Sequence, residues 1–224
     1  MPQIIVENIT KTYLVDNAPI DAVRSVSLQI DRGDFISIVG HSGSGKTTLL
    51  SMIGGITRPT SGKVLFDGDD VYALASDRVS EYRSEKIGFM FQFASLLPIL
   101  TVKENLLLPT VFRPSPAGQE AAKAEELLQM VGLTDKINVY PAQLSGGQQR
   151  RVAIARAFMN DPALVLADEP TGDLDEETEG DMMRFFKTMN EAKGVTFIMV
   201  THNTDLARQT KHQLRMNQGT LLVV

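Results

Sequence analysis

The residues with the clearest chemistry form a glycine-rich segment near the N-terminus. Residues 40–47 have the sequence GHSGSGKT, which satisfies the spacing G-x-x-x-x-G-K-[ST]. The glycines let the backbone turn tightly and point its N–H groups at phosphate oxygens. The Lys46 ammonium suits the β- and γ-phosphates of a nucleotide, and the Thr47 hydroxyl can bind Mg²⁺. We therefore predict phosphate binding by Gly40, His41, Ser42, Gly43, Ser44, Gly45, Lys46, Thr47 and Thr48.

The alternative interpretation of this segment is a glycine-rich loop with a solvated lysine. The flanking residues argue against that alternative. Residues 35–39 form an apolar run typical of a buried strand, and residues 47–53 are typical of a helix that ends at Gly54 and Gly55. A strand, a loop and a helix in this order are the context that a phosphate-binding loop requires, because the helix N-terminus adds the positive end of its dipole.

Two adjacent carboxylates, Asp168 and Glu169, follow a second apolar run at residues 163–167. The carboxyl ends of buried parallel strands are where such sheets place ligand-facing residues. We predict that Asp168 reaches Mg²⁺ through its water shell and that Glu169 acts as a general base or orients water. The alternative is an ordinary solvated acidic pair at a strand end, which the nearby phosphate-binding loop disfavours.

Residues 144–148, LSGGQ, predict a second anion site. Ser145 is a good N-cap, and Gln148 three residues later completes a capping box. Gly146 and Gly147 leave backbone N–H groups uncovered at the helix N-terminus, where an anion can bind. One triphosphate does not need two such sites in one chain. The alternative is a well-capped helix with only a structural role.

Alternating strands and helices are expected to hold these residues in place. Val26, Leu28 and Ile30 alternate with polar residues, as in a half-buried strand, and residues 195–200 form another apolar strand. Strands that alternate with helices imply a largely parallel sheet with right-handed crossovers. The sequence therefore predicts an α/β core.

The middle of the chain, from about residue 71 to residue 139, has a more helical character. Thr101 and Glu104 have capping-box spacing. Apolar residues then recur at steps of three and four before a stop at Gly132; they are Ala121, Ala124, Leu127, Leu128 and Val131. We interpret this stretch as a helical lobe inserted into the α/β core.

Composition excludes several classes of protein. The chain has 224 residues, enough for one domain or a core with a small lobe. It has no cysteine, which rules out disulfides, thiolate metal sites and cysteine nucleophiles. Its 22 basic and 27 acidic residues give a net charge of −5, the wrong sign for a general nucleic-acid or anionic-lipid binder. No apolar run is long enough for a membrane span or a signal peptide, so we expect a soluble, intracellular chain.

Together, the glycine-rich loop, the LSGGQ segment and Asp168-Glu169 resemble the ATP-binding subunits of ABC transporters, and the resemblance runs from about Ile4 to the C-terminus. It implies an α/β P-loop ATPase fold with a mainly parallel core sheet, an N-terminal antiparallel β subdomain and an inserted α-helical subdomain. It also implies a single domain, with a core of about residues 1–92 and 160–224 and a helical lobe of about residues 93–159. ATP and Mg²⁺ are the implied ligands.

The resemblance assigns roles to further single residues. Tyr13, expected just after the N-terminal strand, resembles the aromatic residue that stacks on adenine. Gln92, after a strand predicted at residues 87–91, resembles the glutamine that senses Mg²⁺ and the attacking water. His202 resembles the histidine that contacts the γ-phosphate. The implied catalytic residues are Lys46, Gln92, Glu169 and His202, and the implied metal-binding residues are Thr47, Gln92 and Asp168.

The resemblance also implies a homodimer that forms on ATP binding. In this family the signature segment of one subunit, here Ser145, Gly146, Gly147 and Gln148, closes on the nucleotide held by the other subunit. Residues 173–175 stand where the family has a loop that crosses the dimer, with Asp175 as the matching acid.

Several short motifs resemble the macrolide-export and lipoprotein-release subgroup, whose permeases do mechanical work on extracytoplasmic partners. They are residues 91–93, 96–98, 104–105 and 166–172. The chain departs from that subgroup at two positions. Asp173 replaces the usual asparagine, and Arg150 replaces the usual glutamine. Neither change removes a group needed for hydrolysis.

The implied function is that of an ATP-hydrolysing motor subunit for a separate integral membrane permease. The expected location is cytoplasmic, at the inner membrane only through that permease. An ATP-switched regulatory or scaffolding module acting on a membrane partner is the alternative. A DNA-repair or translation ATPase of the same family is disfavoured by the short chain and the acidic balance, so no nucleic-acid partner is expected.

Overall fold

Two β-sheets and the helices around them organise the chain, for which a computed structural model describes residues 2–113, 119–172 and 174–223. The strands are β1 Pro2–Val15, β2 Ala18–Asp31, β3 Phe35–Val39, β4 Ser61–Phe66, β5 Asp69–Asp70, β6 Ile87–Met90, β7 Leu164–Asp168, β8 Thr196–Thr201, β9 His212–Asn217 and β10 Thr220–Val223. The helices are α1 Lys46–Ile53, α2 Ser76–Glu81, α3 Val102–Leu107, α4 Gln119–Met130, α5 Gly146–Ala157, α6 Glu176–Lys193 and α7 Thr204–Ala207.

The larger sheet has the strand order β10-β9-β3-β8-β7-β6. Its neighbouring strands pair in parallel from β9 to β6, and β10 pairs antiparallel with β9 at the edge. Every residue of β3, β7 and β8 is buried, which explains why these strands are almost wholly apolar. The predicted mainly parallel core sheet is therefore confirmed.

The smaller sheet is antiparallel, with the order β2-β1-β4-β5. In β2, Val26 and Ile30 are buried while Ser27 and Gln29 are exposed, as the alternation predicts. Helix α1 packs between the two sheets, because its buried Leu49 belongs to a core cluster with residues of both sheets. The predicted antiparallel subdomain is confirmed, and the helix that follows the glycine-rich loop is held between the two sheets.

Helices α3, α4 and α5 lie between β6 and β7 in the sequence, and they contact one another in the folded chain. Thr101 caps α3, since its hydroxyl accepts from the Glu104 N–H at 3.3 Å and the Glu104 carboxylate accepts from the Thr101 N–H at 2.7 Å. Helix α4 buries Ala124, Leu127 and Leu128 at the predicted spacing. These helices share one apolar core with α6 and the large sheet. The predicted inserted α-helical subdomain is present, whereas its boundaries at about residues 93 and 159 stay a prediction.

Several predicted strand ends are wrong by one or more residues, including those of β7 and β8. Tyr13 does not follow the N-terminal strand but lies inside β1, because β1 and β2 form a hairpin paired out to Val15 and Ala18. Strand β6 ends at Met90 rather than at Phe91. Among the residues that the structure describes, no helix combines the length and the apolar character that crossing a membrane requires.

Candidate functional site

A cavity of about 980 Å³ collects most of the predicted site residues. It opens where β3, β7 and β8 end, because parallel strands present their carboxyl ends at the same edge of the sheet. The predicted residues that line it are Gly40, His41, Ser42, Gly43, Ser44, Gly45, Lys46, Thr47, Thr48, Gln92, Asp168, Glu169 and His202.

The glycine-rich loop packs so tightly against two strands that larger residues do not fit. Gly45 has a φ of +104°, and a Cβ built there would lie 2.1 Å from the Ala22 carbonyl oxygen of β2. A Cβ on Gly40 would lie 2.4 Å from the Met216 carbonyl oxygen of β9. Both distances are far below van der Waals contact. These glycines are therefore required by close backbone approach as well as by the turn.

The loop carries groups that suit a phosphate. The Ser44 hydroxyl is buried and has no hydrogen-bond partner within the described part of the chain. Such a group is costly unless a ligand or water satisfies it. The Lys46 ammonium donates to the carbonyls of Gly40, at 2.8 Å, and His41, at 3.1 Å, and so lies inside the loop's curve. With the N-terminus of α1 beginning at Lys46, the loop fits a triphosphate.

Two oxygen donors for a divalent cation lie side by side at this loop. The Thr47 hydroxyl donates to Oδ2 of Asp168 at 2.7 Å, although the two residues are far apart in the chain. The pKa of the Asp168 carboxyl is raised above its ordinary value, because the effect of burial exceeds the opposite effect of the Thr47 hydrogen bond. Hydroxyl and carboxylate oxygens are the ligands that Mg²⁺ prefers, together with phosphate oxygens and water. The pair therefore fits Mg²⁺.

Glu169 is held by three interactions with residues 200–202 at the end of β8. Its N–H donates to the Val200 carbonyl at 2.9 Å, and its φ is +46°, an uncommon value for a residue with a side chain. The Thr201 hydroxyl donates to Oε2 at 3.1 Å, and Nδ1 of His202 lies 2.9 Å from Oε1. Thr201 is not among the residues predicted from the sequence. Its place directly before His202 is the only local signal that could have found it.

Gln92 lines the same cavity from the segment after β6. Arg150 of α5 also lines it, although the sequence identifies this residue only as a departure from the subgroup. Other lining residues that were not predicted are Ala22, Val39, Phe93, Gly172, Thr204, Arg215, Met216 and Asn217.

The structure does not bring every predicted residue to this cavity. Tyr13 lies on the hairpin, 42% exposed, with the Lys11 ammonium 5.1 Å from its ring centroid. The signature residues Ser145, Gly146, Gly147 and Gln148 begin α5 and are not among the described residues that line the cavity.

The signature segment nevertheless has its predicted local structure. The Ser145 hydroxyl accepts from the Gln148 N–H at 3.3 Å, and Oε1 of Gln148 accepts from the Ser145 N–H at 3.0 Å. The predicted capping box is therefore confirmed. In the loop expected to cross the dimer, Asp175 caps α6 by accepting from the Thr178 N–H at 2.9 Å, and Asp173 lies outside the described residues.

A glycine-rich loop between a buried strand and a helix, with a carboxylate pair at the end of another buried parallel strand, defines a P-loop nucleoside triphosphatase. The sequence matches the ABC transporter family over residues 23–172. A Thermotoga maritima protein described as an uncharacterized ABC transporter ATP-binding protein is 43% identical over 214 residues, which are 96% of this chain and 91% of the relative. The macrolide export ATP-binding/permease protein MacB of Syntrophobacter fumaroxidans is 42% identical over 223 residues, 99% of this chain but 31% of that relative.

Solved structures agree with these relatives. A dimeric structure of the ATP-binding cassette MJ0796, in a post-hydrolysis state bound to ADP and Pi, superposes with a TM-score of 0.93 at 42% identity and covers 97% of this chain and 96% of its own. The cbiO1 protein of Clostridium perfringens, part of the complex cbiONQ, gives a TM-score of 0.86 at 27% identity, covering 99% of this chain and 87% of its own. The chain belongs to the ABC transporter family and is an ATP-hydrolysing motor subunit of that family.

Proposed function

We propose that this subunit closes as a homodimer on Mg-ATP and thereby drives a separate membrane permease, and that hydrolysis reopens the dimer. The main support for this proposal is that the nucleotide site of one chain is incomplete, because it lacks a signature segment among the residues that the structure describes. The cavity contains the phosphate-binding loop and Glu169, whereas the signature helix begins outside it at Gly146, with Ser145 as its N-cap. A second copy that brings its own signature segment to the cavity would complete the site. The MJ0796 cassette, similar over nearly the whole chain, is described as dimeric.

The geometry supports specific roles in hydrolysis. When ATP binds, the Lys46 ammonium would exchange its hydrogen bonds to the loop carbonyls for hydrogen bonds to the β- and γ-phosphates. Mg²⁺ would be held by Thr47 and Asp168, together with Gln92. Mg²⁺, when bound, would neutralise charge on those phosphates. Glu169 would accept the proton of the attacking water, because its carboxylate faces the cavity and is fixed by Thr201.

His202 and Tyr13 complete the proposed nucleotide contacts. The His202 ring contacts the Glu169 carboxylate, and the His202 side chain is 74% exposed. The ring can therefore rotate toward a γ-phosphate without disturbing the packing of the core. Tyr13 offers a half-exposed ring for stacking on adenine. The backbone N–H groups of residues 40–48 would donate hydrogen bonds to the phosphate oxygens.

A groove of about 780 Å³ next to the Gln92 segment supports a permease partner. Its walls include Ile56 and Phe91, which are 47% and 45% exposed, and Phe112, which is 72% exposed. Exposed apolar side chains gathered in one groove are typical of a protein-binding surface. The helical lobe of about residues 93–159, which supplies one wall, would relay closure to the partner.

The type of transporter is proposed from the relatives and motifs. The similarity to a macrolide export ATP-binding/permease protein favours an export or mechanotransmission system, with this chain at the cytoplasmic side of the inner membrane through its permease. This chain corresponds to 31% of that relative's length, and the proposed permease would supply the membrane-spanning part of the transporter. The cargo would be chosen by that permease.

ATP turnover with and without a permease tests this proposal. A membrane permease that copurifies with this chain would be reconstituted in lipid nanodiscs, and we expect it to bind the chain and to change its turnover. Phe112→Asp should abolish that effect while leaving basal turnover intact, because the residue lies in the groove and not in the cavity. Met130→Asp, at an exposed apolar position outside the groove, is the matched control. Binding of the permease without any change in ATP turnover would favour the regulatory alternative, and the absence of both effects would overturn the proposal.

A further inference from the structure

A buried arginine outside the proposed chemistry connects the signature helix to the segment that carries Gln92. Arg150 is only 4% exposed, and its Nη1 donates to the Phe91 carbonyl at 2.9 Å. The same side chain lines the nucleotide cavity beside Gln92. A buried charge is costly unless it makes good hydrogen bonds, so this position calls for an explanation beyond solubility.

The accepting carbonyl is the one nearest to Gln92. The Phe91 C=O and the Gln92 N–H belong to a single planar peptide group. A hydrogen bond to that carbonyl therefore acts directly on the backbone from which the Gln92 side chain extends. The bond is charge-assisted, which makes it stronger than one from a neutral donor.

The rest of this segment is held by the same helix. Arg156 donates from Nη2 to the Ala94 carbonyl at 2.9 Å and from Nη1 to the Ser95 carbonyl at 3.0 Å. Strand β6 ends at Met90, and Phe93 is 73% exposed, so core packing does little to hold these residues. Side chains of α5 thus form hydrogen bonds with both ends of the segment of residues 91–95.

We propose that Arg150 is a positioning residue that holds Gln92 at the Mg-ATP site and transmits movements of the signature helix to Gln92 within one chain. The inference rests on the proposed role of Gln92. Helix α5 begins directly after Ser145, and Arg150 follows about 7.5 Å along the helix at about 1.5 Å per residue. When the signature segment engages a nucleotide, a rigid helix carries the displacement to Arg150 and so to the Gln92 peptide group.

Arg150→Met, which keeps most of the volume but removes the donor, is the first test. We expect kcat for ATP to fall about tenfold or more, while the KM for ATP changes less than about threefold, because a misplaced Gln92 affects the reacting geometry more than nucleotide binding. Arg151→Met is the matched control, since the adjacent Arg151 donates to the Val131 carbonyl at 3.1 Å and does not line the cavity. A kcat for Arg150→Met equal to that of the wild type would overturn the proposal.

A double-mutant cycle with Gln92→Ala keeps the test decisive if Arg150→Met does not fold. Arg150→Gln, which introduces the residue usual in the subgroup, is then the second variant. Its reduction of kcat should disappear in the Gln92→Ala background, because residues that act through one another are not additive. Fully additive losses would overturn the link between Arg150 and Gln92. A Gln92→Ala variant with wild-type kcat would instead overturn the proposed role of Gln92 itself, and the inference with it.

Discussion

Replacing Glu169 by glutamine separates ATP binding from ATP hydrolysis. The amide has nearly the same shape as the carboxylate, so it can keep the hydrogen bond from Thr201 and the contact with His202. It cannot accept a proton from water at neutral pH. The groups that would bind the phosphates, Lys46 and the loop around it, are unchanged. We therefore expect normal ATP affinity with defective turnover.

The expected size of the defect follows from the role of a general base. Such a residue contributes about 10²- to 10⁴-fold to a rate, which is about 3–5 kcal/mol in activation free energy. ATP affinity should change less than about threefold, because no phosphate-binding group is lost. Since hydrolysis is needed for reopening in the proposed cycle, ATP should trap Glu169→Gln as a dimer.

Phosphate release measured at steady state and size-exclusion chromatography in the presence of ATP check these expectations. Glu179→Gln is the matched control. The Glu179 carboxylate accepts from the Thr171 hydroxyl at 3.1 Å but does not line the nucleotide cavity, so turnover should remain. Full steady-state hydrolysis by Glu169→Gln would refute its role as the base.

Three further variants test the binding loop and the fold. Lys46→Ala should weaken ATP binding about 10- to 100-fold by calorimetry, because a charged hydrogen-bond donor is lost. Gly45→Ala should lower the free energy of unfolding by more than about 1 kcal/mol in urea titrations, since its Cβ would lie 2.1 Å from the Ala22 carbonyl. Thr101→Ala should cost about 1 kcal/mol of the same quantity through the lost cap of α3, with ATP affinity unchanged.

Each of these variants has a result that would contradict the structural reasoning. An unchanged calorimetric affinity in Lys46→Ala would exclude this lysine as a phosphate ligand. Gly43→Ala is the control for Gly45→Ala, because Gly43 has a φ of +75° with no atom within 4 Å of a built Cβ. Equal destabilisation by both would show that the close approach to Ala22 does not matter. Loss of ATP binding in Thr101→Ala would show that the cap has more than a local role.

Much of the fold follows from local patterns in the sequence. The almost wholly apolar run at residues 35–39 predicts a strand that is covered on both faces, and it forms a strand buried at every residue. The capping boxes at Thr101 and Ser145 were predictable because their partners are three residues away. Strand ends were harder to predict, as at Tyr13, because hairpin pairing with β2 extends β1 beyond its buried residues.

In the candidate site, too, local sequence patterns were predictable and contacts between distant residues were not. The glycine-rich loop and the carboxylate pair could be identified from the sequence, since each is recognised from residues that are adjacent in the chain. Three contacts became visible only in the folded chain: Asp168 accepts from the Thr47 hydroxyl, Thr201 donates to Glu169, and Arg150 donates to the Phe91 carbonyl. Such contacts join residues far apart in the chain. They depend on which strands become neighbours in the sheet and on which helix packs over them, and no local pattern encodes that arrangement.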